Sequence, residues 1–280
     1  MFWNERLYAS GLEFEWENTR ALRTDFVSVE MPENVQEFYS LYAVHSDGSL
    51  REAGREYVFK EPLSGSRVLK ALESMDDISR QYKFQSSYRT SLHVHLDCRD
   101  LSFPEDVVFL GAVYAIVEPF IYRFIGNNRD VSNYSIPWYQ HPQHYRVFLS
   151  TINKSGSVPG RSIQAKLQQA KQYKYSGLNM FSLGDYGTVE FRHAPVSMQK
   201  DKIILWLNII MSLKKFVLEN RQLSPEDVLN LSQKMGFLGF ISHVFGIYAK
   251  DLIKSTRTPV NDFILGVDTC NHYLTILKGA

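Results

Sequence analysis

Three stretches of the chain alternate apolar and ionisable residues: "GLEFEWEN" at 11–18, "SLHVHLD" at 91–97 and "TVEFRHA" at 188–194. In an extended strand successive side chains point to opposite faces, so each stretch has an apolar rear and an ionisable front. Glu13, Glu15 and Glu17 stand opposite Leu12, Phe14 and Trp16. His93, His95 and Asp97 stand opposite Leu92, Val94 and Leu96, and Glu190 and Arg192 stand opposite Val189 and Phe191. A sheet with one face in the core is the expected result.

The front faces ask for a chemical explanation. Lysine is absent from all three stretches, and carboxylates two apart on one face repel unless a cation or basic group lies between them. If the strands are neighbours, Glu13, Glu15, Glu190, His93 and His95 converge on one patch. Carboxylate-rich patches suit Mg²⁺ or Mn²⁺ better than Zn²⁺. Magnesium commonly comes with substrate phosphates, and Arg192 is placed to hold one bidentately. These residues point to phosphoryl transfer from a nucleotide, against the plainer reading of a solvated sheet face. No P-loop pattern and no G-x-G-x-x-G after a strand is present, so nucleotide binding would run through the sheet and its metal.

The remaining segments predict helices and strands without regular βαβ alternation, which favours α+β with an antiparallel sheet. Asp47-Gly48 suggests a hairpin over 39–60, followed by a helix over 65–75. "SFPED" at 102–106 reads as a capping box of Ser102 and Glu105, opening a helix to about Phe124 with a kink expected at Pro119. Residues 126–162 read as loops and 163–175 as a basic helix. Strands are expected at 178–183 and 188–194, joined by "GDYG". Ser197 caps a helix to about Asn220, and another starts at Ser224.

Composition narrows the partners. The 280 residues are 44% apolar and carry a net charge of +1, with no basic face for nucleic acid. Two cysteines make no disulfide framework and no Cys-x-x-Cys spacing, in keeping with a reduced, cytoplasmic setting. The apolar runs at 107–117 and 203–213 fall short of the roughly 20 residues a bilayer needs, so no membrane partner is expected. The charged N-terminal stretch does not resemble a targeting peptide.

Taken in order, "GLEFEWE", "DGSL" with "REYVFKEPL", "SLHVHLD" and "GTVEFRHAPVS" resemble the amidoligase family of glutamate–cysteine ligase and glutamine synthetase-like carboxylate–amine ligases. The likeness covers about residues 11 to 210. It implies a curved antiparallel sheet with helices packed on one face, like the glutamine synthetase catalytic domain. That domain would span 1–220, with 221–280 a helical extension packed on it. It implies metal ligation by Glu13, Glu15, Glu56, His95 and Glu190, with catalytic roles for Arg192, His93 and Glu56. ATP would be held by Arg192 and Asn179. Apart from the resemblance, the basic residues Lys166 and Lys171 read either as a solvated helix face or as a segment that folds over the nucleotide. Tyr57 and Phe59 depart from the smaller residues of the family pattern. The implied activity is ATP- and Mg²⁺-dependent amide formation through an acyl phosphate, on amino-acid, amine or peptide substrates.

Two rivals use the same residues. "HVHLDC" comes within one residue of the H-x-H-x-D-H run of zinc hydrolases, with Cys98 where the last histidine is required. A non-catalytic binding protein that keeps the ligase fold is the other. Trp206 and its apolar neighbours, and Cys98, read as core.

Overall fold

The structure is a computed structural model that describes residues 9–19, 22, 31–126, 128–153 and 161–279. The protein is α+β, and its contacts divide it into two compact units. The first holds the described residues up to Asp97 together with Ala194–Leu207; the second holds Cys98–His193 and the residues from Asn208 on.

In the first unit, strands β1 (Ser10–Trp16), β2 (Tyr42–Ser46), β3 (Arg55–Phe59) and β4 (Ser91–Asp97) form an antiparallel sheet in the order β2-β3-β1-β4. Period-2 alternation sets which side is core. Leu12, Phe14, Tyr57, Leu92, Val94 and Leu96 are all buried on the rear. Helices α1 (Glu33–Leu41) and α2 (Ser66–Gln81) are packed there. Phe38 of α1 stacks on Tyr42 at 4.8 Å, and the Tyr42 hydroxyl donates to the Ala71 carbonyl of α2 at 2.8 Å. Tyr57 and Phe59 belong to this rear core, with Tyr57 stacked on Phe84 at 5.4 Å.

The hairpin expected over 39–60 forms between β2 and β3, with a later start and a longer connection. Residues 39–41 finish the amphipathic helix α1, and the connection runs from 47 to 54 instead of turning tightly at Asp47-Gly48. The helix read over 65–75 continues to Gln81, because Ile78 extends the buried stripe of Val68, Ala71, Leu72 and Met75.

In the second unit, α3 (Glu105–Ile125) is buried from Asp106 to Tyr122. It is 21 residues long and apolar enough to cross a membrane by composition, but 83% of that window is buried in the protein. Burial, not shortness, makes it a core helix. A second apolar stretch, Pro225–Ser255, passes the same composition test with 33% buried. It is not one straight rod, since Gly236 (φ 65°) breaks α8 (Pro225–Phe245) before α9 (Ala249–Ser255). Helix α10 (Pro259–Gly279) lies directly on α3 at Gly266, where a Cβ would fall 2.0 Å from the Ile116 carbonyl oxygen. Only glycine admits that approach.

Other expectations in this unit shift. Ser102 and Glu105 form no capping box; the Ser102 N–H donates to the Asp106 carboxylate at 2.8 Å. Within the presumed loop 126–162 lies α4 (Gln143–Asn153), whose Tyr145, Phe148, Leu149 and Ile152 are buried at helical spacing; residues 154–160 fall outside the described set. The basic helix is α5 (Arg161–Gln169), followed by a 3₁₀ turn at Lys171–Tyr173. The strand read over 178–183 is only β5 (Leu178–Asn179). "GDYG" is not a hairpin turn but part of the one-turn helix α6 (Leu183–Tyr186), closed by Gly187 at φ 68°. Strand β6 (Thr188–Pro195) pairs antiparallel with β5. Helix α7 (Lys200–Glu219), whose start belongs to the first unit, begins later than expected, with the Ser197 hydroxyl accepting from the Gln199 N–H. Ser224 and Asp227 do form the capping box that opens α8.

Candidate functional site

The first unit's sheet register assembles a front face of acids and imidazoles. Glu13 of β1 stands across from His93 of β4, and Glu15 across from Glu56 of β3. Directly opposed residues share a face, so all four project to the same side. His93 is 1% exposed, His95 9% and Glu15 4%, which excludes a solvated edge. Both imidazoles contact Glu13: His93 Nδ1 lies 3.2 Å from Oε2 and His95 Nε2 2.8 Å from Oε1. His93 Nε2 lies 3.8 Å from Glu15 Oε1. Glu15, Glu56 and His93 each bring one ligand atom to within 4.8 Å of the others.

Electrostatics differ sharply between the carboxyls. Burial opposes ionisation of Glu13, but the imidazoles of His95 and His93 hold it well below the usual carboxylate range. Glu56 has no such help. Burial first, then the charge of Glu13, a hydrogen bond with it, and the charges of Glu15 and Asp47 push its carboxyl up to about 9. A protein carboxyl held protonated by neighbouring carboxylates is what a divalent cation would relieve. The two carboxylates suit a hard divalent cation, and the imidazole is a donor more usual for a transition metal. Glu17 behaves otherwise: its carboxylate accepts the Arg51 N–H at 2.8 Å and ties down the 47–54 connection.

In the second unit, Asn179, Glu190 and Arg192 form one buried cluster. The Asn179 amide donates to Glu190 Oε2 at 2.6 Å, as the cross-strand pairing Asn179↔Glu190 requires. Arg192 pairs with Glu190 through Nη1, donates from Nε to the Tyr134 carbonyl at 3.2 Å, and lies over the Tyr175 ring. Lys166 sits half-buried on α5, and Lys171 begins the turn after it.

Of the five residues expected to converge, Glu13, Glu15, His93 and His95 do so within the first unit, joined by Glu56. Glu190 belongs to the second, with its partners Asn179 and Arg192. Several neighbours escaped the sequence reading. His45 stands opposite Glu56 on β2, a position that correct hairpin register would have revealed. Arg129 and Tyr134 come from a segment without periodicity. Glu118, fully buried on α3, accepts the main-chain N–H groups of Trp138 and Tyr139 and the Tyr114 hydroxyl; that hydroxyl lies 2.9 Å from His193 Nε2. Burial pushes Glu118 up to about 8, and burial with the Arg129 charge pushes His193 down to about 3. The i, i+4 spacing of Tyr114 and Glu118 on an apolar helix was the available signal. Cys98 is buried, its N–H bonded to the Gly187 carbonyl.

Comparison of the chain with protein-family models and with curated proteins finds no match.

Proposed function

We propose that the protein is an ATP- and Mg²⁺-dependent carboxylate–amine ligase, forming an amide bond through an acyl phosphate. The observation that carries this reading is the trio of buried Glu15 and His93 with half-buried Glu56, their ligand atoms within 4.8 Å of one another and the Glu56 carboxyl raised to about 9. Glu15, Glu56 and His93 would hold the cation on the first unit, with Glu13 and His95 as further ligands beside them; Glu190 is proposed as a metal ligand of the second unit. The bound metal supplies charge neutralisation for nucleotide phosphates. His93, 3.2 Å from Glu13 and 3.8 Å from Glu15, would complete the ligand set as its imidazole donor while holding Glu13 in place. Arg192 is buried and held at Glu190 and Tyr134, an arrangement suited to binding a phosphate with little reorganisation. Asn179 would keep Glu190 oriented. Lys166 and Lys171 are proposed as contacts to the nucleotide. Amino-acid, amine or peptide substrates, a cytoplasmic setting and a glutamine synthetase-like curved sheet belong to the same reading.

The test is ADP release on a panel of carboxylate and amine pairs, with Mg²⁺ or Mn²⁺, alongside thermal stabilisation by MgATP. ADP release that depends on both an acid and an amine is expected. Stabilisation by Zn²⁺ alone, with no response to MgATP, would select the zinc hydrolase; no response to either would leave a binding protein.

A further inference from the structure

We propose that Arg129 is a positioning residue for Arg192, fixing the guanidinium that the nucleotide reading assigns to phosphate; the inference rests on that reading. Arg129 begins a 3₁₀ turn, Arg129–Val131, directly after Asn128, which takes the left-handed conformation at φ 52°. Its side chain is 5% exposed, an unusual place for an arginine. The guanidinium is spent on the main chain of β6. Nε donates to the His193 carbonyl at 2.9 Å and Nη2 to the Arg192 carbonyl at 3.1 Å. Five residues on, the Tyr134 carbonyl accepts from Arg192 Nε. One short segment therefore grips Arg192 twice, at its backbone and at its side chain.

The grip continues along the segment. The Ile136 N–H donates to the Tyr175 carbonyl, the Gly177 N–H donates to the Ile136 carbonyl, and the Arg192 N–H donates to the Gly177 carbonyl. Tyr175, whose ring lies beneath Arg192, is tied into the same chain of bonds. Arginine carries several rotatable bonds, and ordering them costs affinity when it happens at binding. Here that order is already present in the protein. Arg129 also contributes a second fixed positive charge beside the Arg192 backbone, in a setting where an anion is the natural ligand.

The experiment is a double-mutant cycle read by MgATP affinity, using isothermal titration of the full chain: wild type, R129M, R192M and R129M/R192M, with R129K as the conservative variant. R129M should weaken MgATP binding by up to about tenfold, the scale of ordering one rotamer-rich side chain on binding. R129K should recover part of that. In the R192M background, adding R129M should cost nothing further, because its effect passes through Arg192. A general structural role predicts instead the same loss in both backgrounds, and that result, or unchanged affinity in R129M, would overturn the proposal. Should R129M fail to fold, the same cycle with R129Q, which keeps a donor, gives the same discrimination. Wild-type protein that binds no MgATP would overturn the nucleotide reading itself, and is thereby told apart from a failure of Arg129 alone.

Discussion

Replacing Glu56 by glutamine separates what the front face costs the fold from what it offers a cation. In the folded protein the Glu56 carboxyl is raised from its ordinary 4.5 to about 9. A group raised in this way contributes full stability below pH 4.5, and that contribution is lost as pH climbs toward 9. At pH 7 the unfolded chain ionises the carboxyl while the fold retains the proton. At ~1.4 kcal/mol per pH unit, the resulting penalty is at most about 3–4 kcal/mol. Partial solvation of the half-buried side chain lowers it to about 1–2 kcal/mol. Glutamine copies the protonated acid without an ionisation to lose. E56Q in EDTA should therefore match wild type at pH 4 and exceed it at pH 7, by about 2–4 °C in melting temperature per kcal/mol. Mg²⁺ or Mn²⁺ should reverse the order. Wild type gains about 2.7 kcal/mol at a hundred times Kd, and the variant, short of a carboxylate ligand, gains far less. Thermal unfolding followed by circular dichroism at both pH values, with and without metal, reads all four quantities. A variant less stable than wild type at pH 7 in EDTA, or one with an undiminished metal response, would refute the reasoning.

Further outcomes follow from the same geometry. Glu118 is raised to about 8, so its contribution is present below pH 4.5 and lost as pH rises through 8; E118Q should flatten the fall in stability between about pH 5 and 8, measured by denaturant titration. Glu13→Ala and Glu190→Ala should each abolish ATP-dependent ADP release while far-UV circular dichroism stays native-like; normal turnover in both would contradict the ligase reading. Gly266→Ala drives a Cβ against the Ile116 carbonyl and should destabilise the second unit by about 1–3 kcal/mol or more, beyond the ~1 kcal/mol that alanine ordinarily gains over glycine in a helix. A melting temperature equal to wild type would show that α10 is free to shift on α3.

Strand alternation was the most legible signal. It identified β1, β4 and β6 to within about two residues, because period-2 patterning separates the apolar rear from the ionisable front even though both faces are largely buried. The pairing Glu13–His93 was legible only conditionally, since neighbour order and register come from long-range contacts. Turn chemistry misled where tertiary packing decided the outcome. Asp47-Gly48 does lie between two paired strands, but the connection runs on to residue 54 and the residues before β2 finish a helix. "GDYG" looks like a turn between strands, but Leu183 and Leu167 are drawn to the same cavity and a helical turn forms there. Helix α4 was hidden by flanking prolines and serines, although its apolar spacing is regular. Arg129 was invisible for a different reason: its role is to bond main-chain carbonyls some 60 residues away, and no local pattern records that.

The central claim is a divalent cation bound between Glu15, Glu56 and His93. The direct measurement is anomalous diffraction from crystals grown with Mn²⁺. The account predicts an anomalous peak within coordination distance, about 2–2.5 Å, of one ligand atom from each of the three side chains, and its loss in E15A/E56A. A peak elsewhere, or none while the three side chains are well ordered, would contradict it.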